Sequence, residues 1–127
     1  MTDVEHDQRP AVWIGHVVLE TSRLDDTEEF MRAIGMRPLV KRAGFAVLEM
    51  RGGTHLVLIA KPDAVAGDAT FDLMVEDIHA THRRFSELGL APTPLEHVPP
   101  DHQRFYVNEP AGNRIAFFSN HVSREPV

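Results

Sequence analysis

Cysteine is absent from the 127 residues. That excludes disulfides, zinc–thiolate centres, iron–sulfur clusters and a thiol nucleophile. It also suits a reducing compartment, and the expected location is the cytoplasm. Long hydrophobic runs are missing too. The longest span about six residues, against the ~20 that a membrane-crossing helix needs. No basic stretch followed by an apolar one opens the chain, so no signal peptide is expected. Positive charge is in short supply: 13 Lys and Arg against 19 Asp and Glu leave a net charge of −6. An acidic chain without a basic run is a poor partner for nucleic acid or for an anionic membrane surface. The glycine-rich phosphate loops, the Gly-x-Ser-x-Gly elbow and His-Glu-x-x-His are all absent, which removes the commonest nucleotide, hydrolase and zinc-protease readings.

What is present is the composition of a soluble globular chain, 43% apolar and 25% charged. The length suits one domain, or two half-size modules that share a core. Eight histidines are the one compositional excess.

Residues 1–11 are polar and are expected to be loose, and 122–127 read as a C-terminal tail. Residues 12–19 are β-branched and aromatic, which predicts a strand. From Thr21 the period changes. Thr27, Phe30, Met31 and Ile34 recur at helical spacing, Asp25 and Asp26 open the helix where its dipole favours negative charge, and Gly35 closes it. Strands follow near 39–42, at 45–50 and at 54–60, with Gly52-Gly53 as a hairpin signal. Residues 61–69 read as a linker. Then the order restarts: a strand over 70–76, a helix capped by Asp77 and ending at Gly89, a proline-rich stretch with room for one edge strand, and strands at 104–108 and 114–120.

The halves repeat. Ile34-Gly35-Met36-Arg37-Pro38 matches Leu88-Gly89-Leu90-Ala91-Pro92 at an offset of 54 residues. Neither half can bury its own apolar face, so the two must share one. The expected fold is α+β: two βαβββ modules (12–60 and 70–121) in a curved mixed sheet, helices outside and a cleft inside.

Alternation along strands sorts side chains by face. It turns His16, Val18, His55, Asp72, Met74, Arg114, Phe118 and Asn120 toward the cleft. It turns Trp13 and Phe117 away, Trp13 into the core or a contact between modules. Asp72 within an apolar strand needs a polar cleft or a cation such as Arg114. His102 flanks a proline-rich loop that could cap the cleft. His97 flanks it as well, while His79 and His82 fall on the second helix, where surface is the default. His121 ends the last strand.

Ile14-Gly15-His16, Val75-Glu76-Asp77-Ile78, and Tyr106-Val-Asn-Glu-Pro-Ala-Gly-Asn113, together with the repeat, resemble the vicinal oxygen chelate superfamily over about residues 12–121. That group includes glyoxalase I, bleomycin resistance proteins, fosfomycin resistance enzymes, methylmalonyl-CoA epimerase and extradiol dioxygenases. The resemblance implies the paired-module fold, a homodimer, and one divalent metal in the cleft of its enzymes. His16 stands where the first metal ligand does. The other ligand positions fall on Thr70 and Ala116, and in some members near Val57. These side chains are a hydroxyl, a methyl and an isopropyl group, which cannot rebuild that cage.

Two function classes follow. One is a small-molecule-binding protein with a degenerate metal site. Its ligand would be held by Val18, Met74, His102, Arg114, Phe118 and Asn120. The other is a metal-dependent lyase, isomerase or dioxygenase with a relocated site. There His16, His55 and Asp72 would hold Fe, Mn, Zn or Ni, or Asp72 would serve as a catalytic base with its pKa raised by burial. The plainer readings keep His16 as a hydrogen-bonding side chain and His55 as a solvent-facing one.

Overall fold

The computed structural model describes residues 6–127. Residues 1–5 of the stretch expected to be loose lie outside them. The elements run β1 His16–Thr21, α1 Leu24–Ala33, β2 Arg37–Lys41, β3 Phe45–Glu49, β4 His55–Ala60, β5 Asp68–Val75, α2 Ile78–Glu87, β6 Glu96–Val98, β7 His102–Asn108 and β8 Arg114–Ser119. The order is βαβββ twice, an α+β architecture. Each half closes its own four-stranded mixed sheet, β1-β4-β3-β2 and β5-β8-β7-β6. The first and last strands of each half pair parallel, and the others antiparallel.

Local chemistry accounts for the boundaries. Gly52 and Gly53 both take positive φ, +80° and +84°, in the turn that joins β3 to β4. Asp77 caps α2 by accepting from the Ala80 amide at 2.9 Å. The first helix has no side-chain cap, and its entry is held instead by Thr21, whose hydroxyl accepts from the Arg23 amide. Pairing of β1 begins at His16, opposite the first residue of β4. Residues 12–15 therefore have the composition of a strand but no ladder partner. Trp13 is 73% exposed, which corrects the expectation that it is core: alternation assigns a face only where a sheet exists.

The two halves share one apolar layer. Leu19, Phe30, Met31, Leu48, Leu56 and Leu58 come from the first, Ile78, Phe85, Phe105, Val107, Ile115 and Phe117 from the second. Phe105 and Phe117 stack at 5.2 Å, and Phe85 meets both edge-on. Helix α1 packs on β3 and β4 and α2 on β7 and β8, and Arg84 of α2 donates to the carbonyl of Ala33 at the end of α1. The opposite faces of both sheets are left open.

A polar knot joins the halves. The Glu109 carboxylate is 2% exposed. It accepts from the Thr27 hydroxyl at 2.7 Å, from the Ala111 and Asn113 amides at 3.0 Å, and from Asn113 Nδ2 at 2.8 Å. With its proton given to Glu109, Thr27 can only accept from Thr21, 2.7 Å away. Asn113 also reaches the Glu20 carbonyl and the Gly67 amide. Gly112 completes the turn at φ +95°, where a Cβ would stand 3.2 Å from Ala66 Cβ.

Candidate ligand-binding face

On the first sheet, register sets three rows across the open face. Glu49, His55 and His16 form one end, Val47, Val57 and Val18 the middle, and Phe45, Ile59 and Glu20 the far end. The middle row is apolar and the far row is apolar except for Glu20, and their side chains are unprotected: Val18 is 47% exposed, Phe45 40% and Ile59 39%. At the polar end a carboxylate can only accept, so His55 carries its proton on Nε2 and donates to Glu49 Oε2 at 3.1 Å. The other oxygen of Glu49 takes Arg37 at 2.9 Å. The His16 ring meets His55 edge-on with 5.7 Å between centres.

On the second sheet the corresponding rows are Tyr106, Ala116 and Asp72, then Arg104, Phe118 and Met74. Ala116 offers only a methyl group between two larger neighbours. A hollow of about 250 Å³ forms there, lined by Asp68, Thr70, Asp72, Tyr106, Arg114 and Ala116 among others. Arg114 binds Asp68 through two nitrogens at 2.8 and 3.1 Å and lays its guanidinium 4.1 Å over the Tyr106 ring. Arg104 lies 5.1 Å from Tyr106 and 5.7 Å from Phe118, tied to Glu96 at 2.8 Å. The Asp68 hydrogen bond holds the Arg114 proton more firmly than usual, and Glu96 does the same for Arg104. Both guanidiniums are held over ring faces by these carboxylates, within the distance at which cation–π attraction acts.

The expected site residues divide between the sheets. His16, Val18 and His55 lie on the first. Asp72, Met74, Arg114 and Phe118 lie on the second, with His102 at the start of β7. Phe117 is buried and Phe118 half-exposed, as alternation predicts. Asp72 is exposed and its side chain has no hydrogen bond or ion pair among the described residues, because Arg114 goes to Asp68 instead. The burial on which its role as a base was to rest is therefore missing. Asn120 lies just past β8 and accepts from the Val122 amide. His79 and His97 are exposed, and His82 donates Nε2–H to the Thr93 carbonyl. The Arg104–Tyr106–Arg114 stack went unnoticed in the sequence, although positions 104 and 106 share a face by simple alternation.

The donors do not fit a metal cage. Among the described residues, no group of three or more His, Cys, Asp or Glu side chains is arranged to hold an ion. The rows that would supply the inherited ligands present Val57 and Ala116, next to Val18 and Asp72.

Comparison with known proteins adds the following. The model of the Glyoxalase/Bleomycin resistance protein/Dioxygenase superfamily matches residues 13–117. No curated protein sequence matches the chain. Among solved structures, lactoylglutathione lyase from Agrobacterium tumefaciens is 20% identical, covers 88% of this chain and 96% of its own, and superposes with a TM-score of 0.75. A bleomycin resistance determinant encoded on the transposon Tn5 is 17% identical over 87% of this chain and 100% of its own, TM-score 0.72. A bleomycin-binding protein complexed with bleomycin is likewise 17% identical over 87% and 100%, TM-score 0.68.

Proposed function

Since the chain belongs to the Glyoxalase/Bleomycin resistance protein/Dioxygenase superfamily, we propose that it is a cytoplasmic small-molecule-binding protein in which the family's metal site has degenerated. One observation carries this reading. The open faces keep exposed apolar rows, while Val57, Thr70 and Ala116 stand where the resemblance puts metal ligands. An apolar surface flanked by a few fixed polar groups suits a compact aromatic or amphipathic compound. Val18, Met74 and Phe118 supply the apolar contact. Arg114 and His102 supply polar anchors, with Asn120 at the rim.

The same reading makes the protein a homodimer. The chain exposes 8575 Å², against roughly 6,800 Å² expected for a monomer of this mass. A standard interface covers about 800 Å² per partner. Residues 120–127, which belong to no helix or strand, take part of the excess, and the apolar part lies in residues 12–14 and on the open faces.

The metal-dependent alternative keeps one supporting feature, the His16–His55 contact with Glu49 behind it. Counting metal after incubation with Fe, Mn, Zn and Ni and dialysis separates the two. The binding reading expects no stoichiometric metal that depends on His16, together with a thermal shift from at least one class of small aromatic compound. A stoichiometric ion lost in His16→Ala overturns it.

A further inference from the structure

Beyond that reading, the geometry points to a second, separate place: we propose that His102 and His121 form a two-imidazole site for a borderline divalent transition-metal ion, at the opposite end of the second sheet from the inherited corner. His102 is the first residue of β7, on the same face as Arg104 and Tyr106. His121 lies two residues past the end of β8. Tyr106 pairs with Ala116, so four residues separate His102 from the Ala116 row. That is about 13 Å along the strand, too far for one ion to serve both places.

Three observations support the site. First, the ring centres of His102 and His121 are 4.9 Å apart and tilted by 60°. Two imidazoles on neighbouring positions of one ion, through bonds of ~2.0–2.1 Å, place their ring centres about 4.5–5.2 Å apart. The pair is already spaced for shared coordination. Second, His102 Nδ1 is shut off from solvent and has no hydrogen-bond partner, alone in this among the buried side-chain nitrogens and oxygens of the described residues. A buried polar atom without a partner calls for an unseen one, water or ion, and an imidazole nitrogen lone pair is a metal donor. Third, neither ring has a carboxylate partner. The carboxylate-paired histidine on the open faces is His55, on the other sheet, so no internal acid competes for these two rings.

Two protein ligands leave coordination positions open. Those positions belong to water or to oxygen and nitrogen donors of a small molecule lying along Phe118 and Arg104. Imidazole donors select Cu, Ni or Zn over Mg or Ca, with Cu(II) bound most tightly.

Copper titration of the whole protein tests this, read by calorimetry and by the electron paramagnetic resonance signature of nitrogen coordination. Wild type is expected to take about one ion per chain at this place, and His102→Ala and His121→Ala each to weaken it by about tenfold or more. His16→Ala with His55→Ala serves as the control that leaves this ion in place, because eight histidines offer other sites. His121 is exposed beyond the last strand, so its variant keeps the apo melting temperature and cannot lose the ion by unfolding. Unchanged copper affinity in the His102 and His121 variants, or an ion removed only by the His16 and His55 changes, overturns the proposal. The first result leaves the ligand-binding reading untouched, since that reading is tested by the small-molecule thermal shift; the second overturns both, because a stoichiometric ion that depends on His16 also contradicts the degenerate site.

Discussion

The Thr27 hydroxyl and the Glu109 carboxylate, 82 residues apart in sequence, meet at 2.7 Å in the interior of the protein. Among the described residues no side-chain cation pairs with the buried carboxylate. It is held by four donors, three of them in its own turn and one on the helix of the other module. Removing the charge leaves those donors short of an acceptor. Glu109→Gln is expected to lower unfolding stability by about 2–3 kcal/mol and Thr27→Val by about 1–2 kcal/mol. Urea denaturation followed by circular dichroism measures both. A loss under about 0.5 kcal/mol for Glu109→Gln, the range of ordinary surface changes, would contradict the assignment.

Phe117 and Phe118 are neighbours with opposite consequences. Phe117 stacks on Phe105 in the shared layer, so Phe117→Ala is expected to cost about 3–5 kcal/mol. Phe118 faces the open side beneath Arg104. Phe118→Ala should cost less than half as much stability while reducing the thermal shift given by any ligand of the open face. Equal stability losses would show that the assignment of faces is mistaken.

Ala116 and Thr70 border the same hollow, so larger side chains fit there without entering the core. If the inherited cage is degenerate rather than moved, putting donors back should restore it. Thr70→His with Ala116→Glu and Val57→Glu is expected to raise nickel or zinc affinity at least about tenfold over wild type, in a His16-dependent way. A triple variant no better than wild type would show that the rows no longer converge.

Trp13 is the only tryptophan, and it projects into solvent beside Val12 and Ile14. If residues 12–14 are covered by a second copy, its emission moves to the blue as protein concentration rises, in step with the mass measured by sedimentation. Trp13→Ser should shift the equilibrium toward monomer. A single mass and an unchanged emission across the range would place the interface elsewhere or remove it.

Much of the architecture was legible in the sequence, since each half satisfies several local rules at once. Asp77 reads as a cap and caps α2, Gly52-Gly53 reads as a hairpin and turns one, and the repeated Gly-x-x-Pro marks the duplicated order. What escaped depended on neighbours distant in sequence. Residues 12–15 have strand composition, but whether they form a strand depends on where β4 begins. Asp72 seemed to require Arg114, yet Asp68 reaches that guanidinium first. Glu109 looked like a turn residue, and only the arrival of α1 makes its carboxylate the centre of the interior network. The open-face residues were found by alternation because their position depends on their own strand alone.

Every hydrogen-bonded strand pair lies within one half. The halves can therefore part without any strand losing its ladder partner. Resistance to separation comes instead from a layer of aromatic and aliphatic side chains, from one anion caught among its donors, and from polar bonds such as Arg84 to the Ala33 carbonyl and Arg51 to Glu76. The seam, rather than either sheet, is thus where the molecule can open with every strand ladder intact.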